Sequence, residues 1–352
     1  MQILIDATPL LLRSAGVKNY TYYWIQHLRR QSGTDRILTW PPMRELPPLN
    51  HERSVLGPAR TSLHLASVYL LPLLKWSIPP ADVFHVSNQI RHPPRNRKLT
   101  ATLYDMTTRL MPELHTAANL RADENLAKNV FQRAAGLIAI SENTKQDAVR
   151  MLGLDPRRIE VIYPGVPDIY FHATPKPAGR PYALFIGTIE PRKNLDSLLD
   201  AWQGSRLRDE FDLVIAGPHG WAASETAARL ASQPPGVRYF GYVPEEALPG
   251  LTAGAAVFVY PSLYEGFGLP VAQAMAAGVP VVTSNTSCLP EVAGDGALLV
   301  DPRSPTEIRT ALEKLLTSAT LRQKLGEAGK ERAQQYRWEN SARKSLDFFH
   351  HL

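Results

Sequence analysis

Two segments carry residue types and spacings suited to group-transfer chemistry. The first is Phe185-Ile186-Gly187-Thr188-Ile189-Glu190-Pro191-Arg192-Lys193-Asn194. It reads as a strand, a Gly-Thr turn and a helix start, where free backbone N–H groups gather. Two cations beside a helix dipole would make a seat for a diphosphate without a metal. A solvated Arg-Lys pair at a helix start is an equally good account of this segment alone. The second segment is Tyr260-Pro261-Ser262-Leu263-Tyr264-Glu265-Gly266-Phe267-Gly268-Leu269-Pro270-Val271-Ala272-Gln273. Here a strand runs into a loop with two glycines, and Pro270 stands at a plausible first helical position. Gly266 and Gly268 would let backbone approach a ligand or adopt positive φ. Glu265 lies at the C-terminal edge of a sheet, where open α/β folds bind ligands. Gln273 follows about one turn into the helix. The plainer alternative is a tight strand–helix connection with a surface acid.

Other chemistries lack their residues. There is no GxxxxGK[ST], no HExxH and no GxSxG. The ten histidines are scattered apart from His350-His351, so no metal site is expected. Asp6, Asp105 and Glu265 are isolated acids that sequence alone does not pair. The single cysteine, Cys288, excludes an internal disulfide and a CxxC site, and a reducing compartment is expected.

The elements that must position these residues form a rhythm. Ile3–Ile5, Val83–Val86, Leu99–Leu103, Leu137–Ile140 and Ile159–Tyr163 read as strands, with helices at Lys18–Arg30, Ala117–Ala134 and Glu142–Leu152. After HATPKPAGRP, with Pro175, Pro177 and Pro181, the alternation restarts. Strands are expected at Ala183–Ile186, Leu213–Ala216, Val237–Phe240, Ala256–Tyr260, Val279–Thr283 and Ala297–Val300. Helical patterns cover Leu195–Trp202, Glu245–Ala253, Val271–Ala277, Pro305–Ser318 and Leu321–Tyr336. Such alternation specifies parallel sheets with crossover helices. At 352 residues, with 44% hydrophobic and 20% charged residues, the chain has core enough for two α/β domains. The expected division is a domain at 1–172, a linker at 173–181, a domain at 182–336 and a closing helix at 337–352.

The net charge of +6 is unevenly spread: residues 1–175 carry +7 and residues 176–352 carry −1. A basic half suits a phosphorylated substrate, an anionic membrane or nucleic acid, or serves solubility alone. Nucleic acid is not expected, because no aromatic-basic motif accompanies the charge. The uncharged stretch Thr61–Leu74, between Arg60 and Lys75, reads as a buried core helix or a surface-seeking one. It is too short to span a bilayer, and MQILID has no basic leader, so neither a membrane span nor a signal peptide is expected.

Taken together, the chain resembles the family 4 glycosyltransferases, the large retaining group with the GT-B fold. GTIEPRKN at 187–194, GYVPEEALPGL at 241–251 and the run from Tyr260 to Pro302 carry the resemblance, with RWENSARKSL at 337–346. Weaker matches are AGVKNY at 15–20, DVFHVS at 82–87, LYDM at 103–106, and SENTKQDAV with VIYPGV within 141–166. The PRKN and EGFGLP variants are most similar to GDP-mannose-type mannosyltransferases of bacterial polysaccharide assembly.

The resemblance implies two Rossmann-like, doubly wound domains facing a central cleft, the last helix returning to the N-terminal domain. It implies transfer of a hexose, mannose in the nearest variants, from a nucleotide sugar to a glycan or polyprenyl-diphosphate-linked acceptor. Arg192 and Lys193 would hold the diphosphate and Glu265 would contact the sugar. Gly16, Gly187, Thr188, Gly266, Phe267, Gly268 and Leu269 would border the donor, with Gly241, Tyr242 and Val243 against the base. Lys18, His85, Tyr104 and Asp105 would lie on the acceptor side. No metal or other cofactor is expected, and the protein would work in the cytoplasm, with peripheral contact at the inner membrane face a further option.

Three departures stand out. Gln273 occupies the place of the family's ribose-gripping glutamate. Tyr104 stands where relatives often carry histidine, with His85 a weak substitute. Lys18 replaces a first-loop glycine and would either touch phosphate or point into solvent. Gln273 and Tyr104 keep open a non-catalytic paralogue that binds a glycan or a partner; an epimerase or phosphorylase on the same fold is the other alternative.

Overall fold

The computed structural model describes every residue except 13–15, 50–52, 70–77, 88–92, 94–96, 177–178 and 221–223. The chain forms two compact units, Met1–Gly165 with Trp338–Leu352, and Val166–Arg337. The chain therefore enters the second unit at Val166, and Lys176, within the proline-rich stretch, bonds that unit by donating its N–H to the Gly250 carbonyl at 2.9 Å. The final helix, Trp338–His350, belongs to the first unit.

In the first unit the described strands are β1 (Gln2–Asp6), β2 (Arg36–Trp40), β3 (Val83–Val86), β4 (Lys98–Leu103), β5 (Gly136–Ala139) and β6 (Ile159–Val161). They pair in parallel in the order β2-β1-β3-β4-β5-β6. The inner strands β1, β3 and β5 are near-continuous buried runs, as in a sheet covered on both faces. β2 has no counterpart among the expected strands: RILTW is a five-residue edge strand directly behind a helix, with Arg36 exposed and Thr39 inside. Helix Glu142–Leu152 starts where expected because the Ser141 side chain accepts the Thr144 N–H at 3.0 Å, and it stops at Gly153 in the left-handed region. The Ala117 helix stops at Asn129 and passes into a 3-10 turn at Phe131–Arg133. The helix around Thr61 spans Pro58–Tyr69 with Leu63 60% exposed; the later part of the Thr61–Leu74 stretch lies outside the described residues.

Trp338–His350 is seated by small residues beneath it. A Cβ on Gly165 would overlap the Trp338 ring, and one on Gly136 would come within 2.8 Å of Phe348. The Trp24 indole N–H donates to Ser345 Oγ at 2.9 Å, joining this helix to helix Gly16–Gln31.

In the second unit the strands are β7 (Tyr182–Ile186), β8 (Asp212–Ala216), β9 (Val237–Gly241), β10 (Val257–Tyr260), β11 (Val281–Ser284) and β12 (Ala297–Val300). Their parallel order is β12-β11-β10-β7-β8-β9. The order reverses beside β7 and β10, because β8 lies on one side of β7 and β10 on the other. Loops leaving the carboxyl ends at such a switch point diverge and leave room for a ligand. The two segments singled out in the sequence leave these two strands.

Glycines let those loops close on one another. Gly217 follows β8 with φ +147, and a Cβ there would overlap the Gly187 carbonyl oxygen after β7. The Gly187 N–H donates to Ala216 O at 2.9 Å, the Ile189 N–H to Pro218 O at 2.9 Å and the Gly220 N–H to Ile189 O at 2.9 Å. Substituting Gly217→Ala adds steric overlap to a disfavoured φ and is expected to destabilise the second unit by about 2 kcal/mol or more. Urea unfolding checks this; a loss below about 0.5 kcal/mol contradicts the close approach.

Candidate active site

Both singled-out segments converge in the second unit. Arg192 and Lys193 lie in a 3-10 turn, Pro191–Lys193, rather than in the first turn of the following helix, Leu195–Gln203. Asn194 separates the two elements with φ 57. Its side-chain N–H groups donate to Pro261 O at 3.0 Å and Pro302 O at 2.6 Å, while its Oδ1 accepts from Ser197 Oγ at 2.8 Å. One asparagine thus ties the loops after β7, β10 and β12. The Leu263 N–H donates to Arg192 O at 2.9 Å, fastening the second segment to the first.

On this frame the charged side chains meet. Lys193 Nζ donates to Glu265 Oε1 at 2.6 Å and to the Tyr260 hydroxyl at 2.6 Å. Arg192 reaches Glu265 Oε2 at 2.8 Å, Tyr264 O at 2.8 Å and Glu190 Oε1 at 2.6 Å. Glu190, Lys193, Tyr260 and Glu265 are all buried. Burial alone would raise the Glu265 carboxyl, but the Arg192 guanidinium and Lys193 ammonium outweigh it and hold it low, at about 2. Burial pulls the Lys193 ammonium down, against the pull of Glu265. Burial also pushes the Tyr260 phenol well up, so it stays neutral.

The Glu265 backbone is held separately. Its N–H donates to Ser287 Oγ at 2.9 Å, Ser287 Oγ donates to its carbonyl at 2.7 Å, and the Cys288 thiol lies 3.1 Å from the same oxygen. Ser287 makes this return contact with φ 58. Gly268, at φ 83, opens helix Leu269–Ala276, and a Cβ there would come within 2.7 Å of Leu289. Pro270 is the second residue of that helix. Phe267 turns inward, edge-on to Tyr336 with 5.2 Å between ring centroids, so its backbone rather than its ring is left to border a ligand. Gln273 is half-buried, and its amide makes no hydrogen bond among the described residues.

At the β8 and β9 ends, the Gly217 N–H donates to Gly241 O at 2.7 Å, and Tyr239 Oη donates to Gly217 O at 2.9 Å. The His219 ring meets the Tyr239 ring edge-on at 5.2 Å. Gly241 has φ 62, Tyr242 is 49% exposed and Val243 is half-buried. Thr188 packs beside Gly220, where a Cβ would come within 2.7 Å of its methyl.

The first-unit candidates are placed differently. Gly16 opens its helix, and among the described residues none lies within 4 Å of where its Cβ would stand. Lys18 takes neither expected course. It is buried, and its ammonium donates to Leu12 O at 2.8 Å and Arg53 O at 2.7 Å. Burial draws it down to about 8. His85 lies fully inside, its ring nitrogens 3.0 and 2.9 Å from the Thr100 and Thr102 hydroxyls, with Trp24 and Phe349 against it. Burial lowers it to about 3, so it is a neutral core residue with no surface to offer an acceptor. The Tyr104 ring stands edge-on to Tyr20, and burial raises its phenol well above the ordinary value. Asp105 accepts the Thr107 N–H at 2.9 Å and its hydroxyl at 2.5 Å. Asp6 repeats that arrangement with Thr8, at 3.0 and 2.7 Å.

Glu190, Asn194, Tyr260, Ser287 and the Gly217–Gly220 turn were not foreseen as site residues. The glycine pair of GPHG after the β8 run was a usable signal; Glu190 and Ser287 become visible only through their partners.

Comparison with known proteins decides the family. Residues 168–332 match the glycosyl transferases group 1, and residues 14–170 match glycosyltransferase family 4. The O-antigen chain mannosyltransferase B of Escherichia coli is 32% identical over 271 residues, covering 73% of this chain and 71% of that protein. The chain belongs to the group 1, family 4 glycosyltransferases. Sucrose-phosphate synthase from Thermosynechococcus elongatus superposes with TM-score 0.75 at 20% identity, over 100% of this chain and 98% of that one. Anabaena HepE, solved with UDP and glucose, gives TM-score 0.75 at 16% identity over the whole of both chains. The fold of this glycosyltransferase is therefore GT-B. No helix among the described residues is long and apolar enough to cross a membrane.

The buried ion cluster links stability to pH in one direction. A carboxyl whose native pKa lies below its unfolded value stabilises the fold above the unfolded value of 4.5, and that stabilisation is lost as pH falls toward 2. Wild type should exceed Glu265→Gln in unfolding free energy at pH 6, and by less at pH 3.5. An equal or larger gap at pH 3.5 contradicts the pairing.

Proposed function

We propose that the chain moves a hexose, mannose in the first instance, from a nucleoside-diphosphate sugar to a glycan or lipid-linked glycan acceptor, with retention at the anomeric carbon. The observation that carries this reading is the Arg192–Glu265–Lys193 cluster at the carboxyl ends of β7 and β10, in which Glu265 and Lys193 are buried and Arg192 is half-buried. It supplies two cations for a leaving diphosphate and an ionised carboxylate for the sugar. The likeness to an O-antigen mannosyltransferase supports mannose and hence GDP-mannose, while HepE, solved with UDP and glucose, keeps a uridine donor in the test.

In this mechanism the acceptor hydroxyl oxygen attacks the anomeric carbon on the face from which the diphosphate departs. The carbon–oxygen bond to diphosphate breaks, its electron pair stays with the diphosphate, and the hydroxyl proton passes to a diphosphate oxygen. Arg192 and Lys193 stabilise the developing charge, the work a metal ion would otherwise do. Glu265 orients the sugar, and positioning accounts for much of the rate. The second unit takes the donor, and Asp105 of the first unit is offered to the acceptor. The +7 charge of residues 1–175 supports a phosphorylated, polyprenyl-diphosphate-linked acceptor and peripheral contact with anionic lipid at the cytoplasmic face.

Glu265→Gln tests the reading, assayed with GDP-mannose and UDP-glucose on protein dialysed against EDTA. Loss of a preorganised contact of this kind removes about 2–4 kcal/mol of transition-state stabilisation. The expected fall in kcat is at least about 30-fold, with a smaller change in nucleotide affinity. A variant keeping more than about a third of wild-type kcat removes Glu265 from the chemistry, and wild type that works only with added Mg²⁺ or Mn²⁺ removes the metal-free scheme.

A further inference from the structure

Glu190 has no part in the scheme above, yet it is built into the cationic seat. Its side chain is 4% exposed, and its Oε1 accepts from Arg192 at 2.6 Å. The same guanidinium reaches Glu265 Oε2 at 2.8 Å and Tyr264 O at 2.8 Å. Arg192 is thus gripped between two carboxylates, and the four side chains Glu190, Arg192, Lys193 and Glu265 sum to no net charge. Glu190 also accepts the Lys193 N–H on its backbone oxygen at 3.0 Å, which shapes the 3-10 turn carrying both cations.

A carboxylate inside an anion seat opposes the anion. A site with the buried Lys193 and the half-buried Arg192 and only Glu265 against them would be net positive and would hold a nucleoside diphosphate more tightly. That diphosphate is the product which must leave before the next donor enters. A carboxylate hydrogen-bonded to the guanidinium edge reduces this grip and holds the fork in one orientation, so that Arg192 is placed without being over-attractive.

Resting on the reading of Arg192 and Lys193 as the diphosphate seat, we propose that Glu190 is a positioning residue that balances the charge of Arg192 and sets the release of the nucleoside diphosphate product. Glu190→Gln keeps an oxygen acceptor for Arg192 and removes the charge. It should bind GDP, or UDP if that is the wild-type ligand, about three- to tenfold more tightly, a range typical of a single charge-assisted contact. The gain should appear as slower dissociation in stopped-flow displacement and as steeper weakening by salt. Glu190→Asp, which keeps the charge, should stay near wild type.

A purely structural Glu190 predicts the reverse, weaker binding together with a lower unfolding temperature. Calorimetry and displacement with GDP and UDP on the full chain separate the accounts, and Glu190→Ala removes the charge by a second route should the glutamine variant fail to fold. Tighter, slowly released diphosphate in a neutral variant supports the proposal. Equal or weaker binding in every folded neutral variant overturns it while the functional reading stands. Wild type that binds neither diphosphate overturns both.

Discussion

Lys193, Arg192 and Glu265 share one buried contact, and the architecture of the second unit follows from the need to hold it. Removing ions of this size from water costs several kcal/mol each, and close pairing returns about the same. At an effective dielectric near 20, two unit charges about 4 Å apart attract by about 4 kcal/mol. Such a cluster adds little net stability compared with apolar residues of similar size. Its retention at the carboxyl ends of β7 and β10 is therefore better explained by charge placement than by folding.

Holding it requires loops with little freedom. Asn194 ties three strand ends, the Leu263 N–H is bonded to Arg192 O, and the Ser287 hydroxyl both accepts from and donates to the Glu265 backbone. Gly217 and Gly220 allow the loop after β8 to lie directly against the loop after β7. Polar backbone groups at the switch point are paired with one another, and the carboxylate is presented by a loop as firmly placed as a strand. Pre-placed charge of this kind is what stabilises a leaving group without reorganisation during the reaction.

Much of this was legible in the residues. Parallel strands buried on both faces are continuous apolar runs, so Val83–Val86 has the bounds expected of it. Edge strand β2 was not, because a short run with one exposed face and a threonine looks like loop. The site's charged triad was legible because Arg, Lys and Glu stand on glycine-marked strand ends. The direction of a side chain was not. Lys18 and His85 are polar residues that the fold satisfies internally, with backbone carbonyls in one case and threonine hydroxyls in the other. Ser287 acts through a partner 22 positions away, and Glu190 through the side chain of Arg192 two positions on, which itself reaches across to Glu265; residue order alone does not show either contact.

The central claim is that Arg192 and Lys193 form a diphosphate seat. Calorimetric comparison of GDP with GMP, and of UDP with UMP, tests it most directly, because each pair differs only in the phosphate that these cations would hold. The account predicts that one diphosphate binds at least about tenfold more tightly than its monophosphate, and that the preference disappears in Arg192→Met/Lys193→Met. Equal affinity for diphosphate and monophosphate in wild type, or a preference that survives in the double variant, would contradict it.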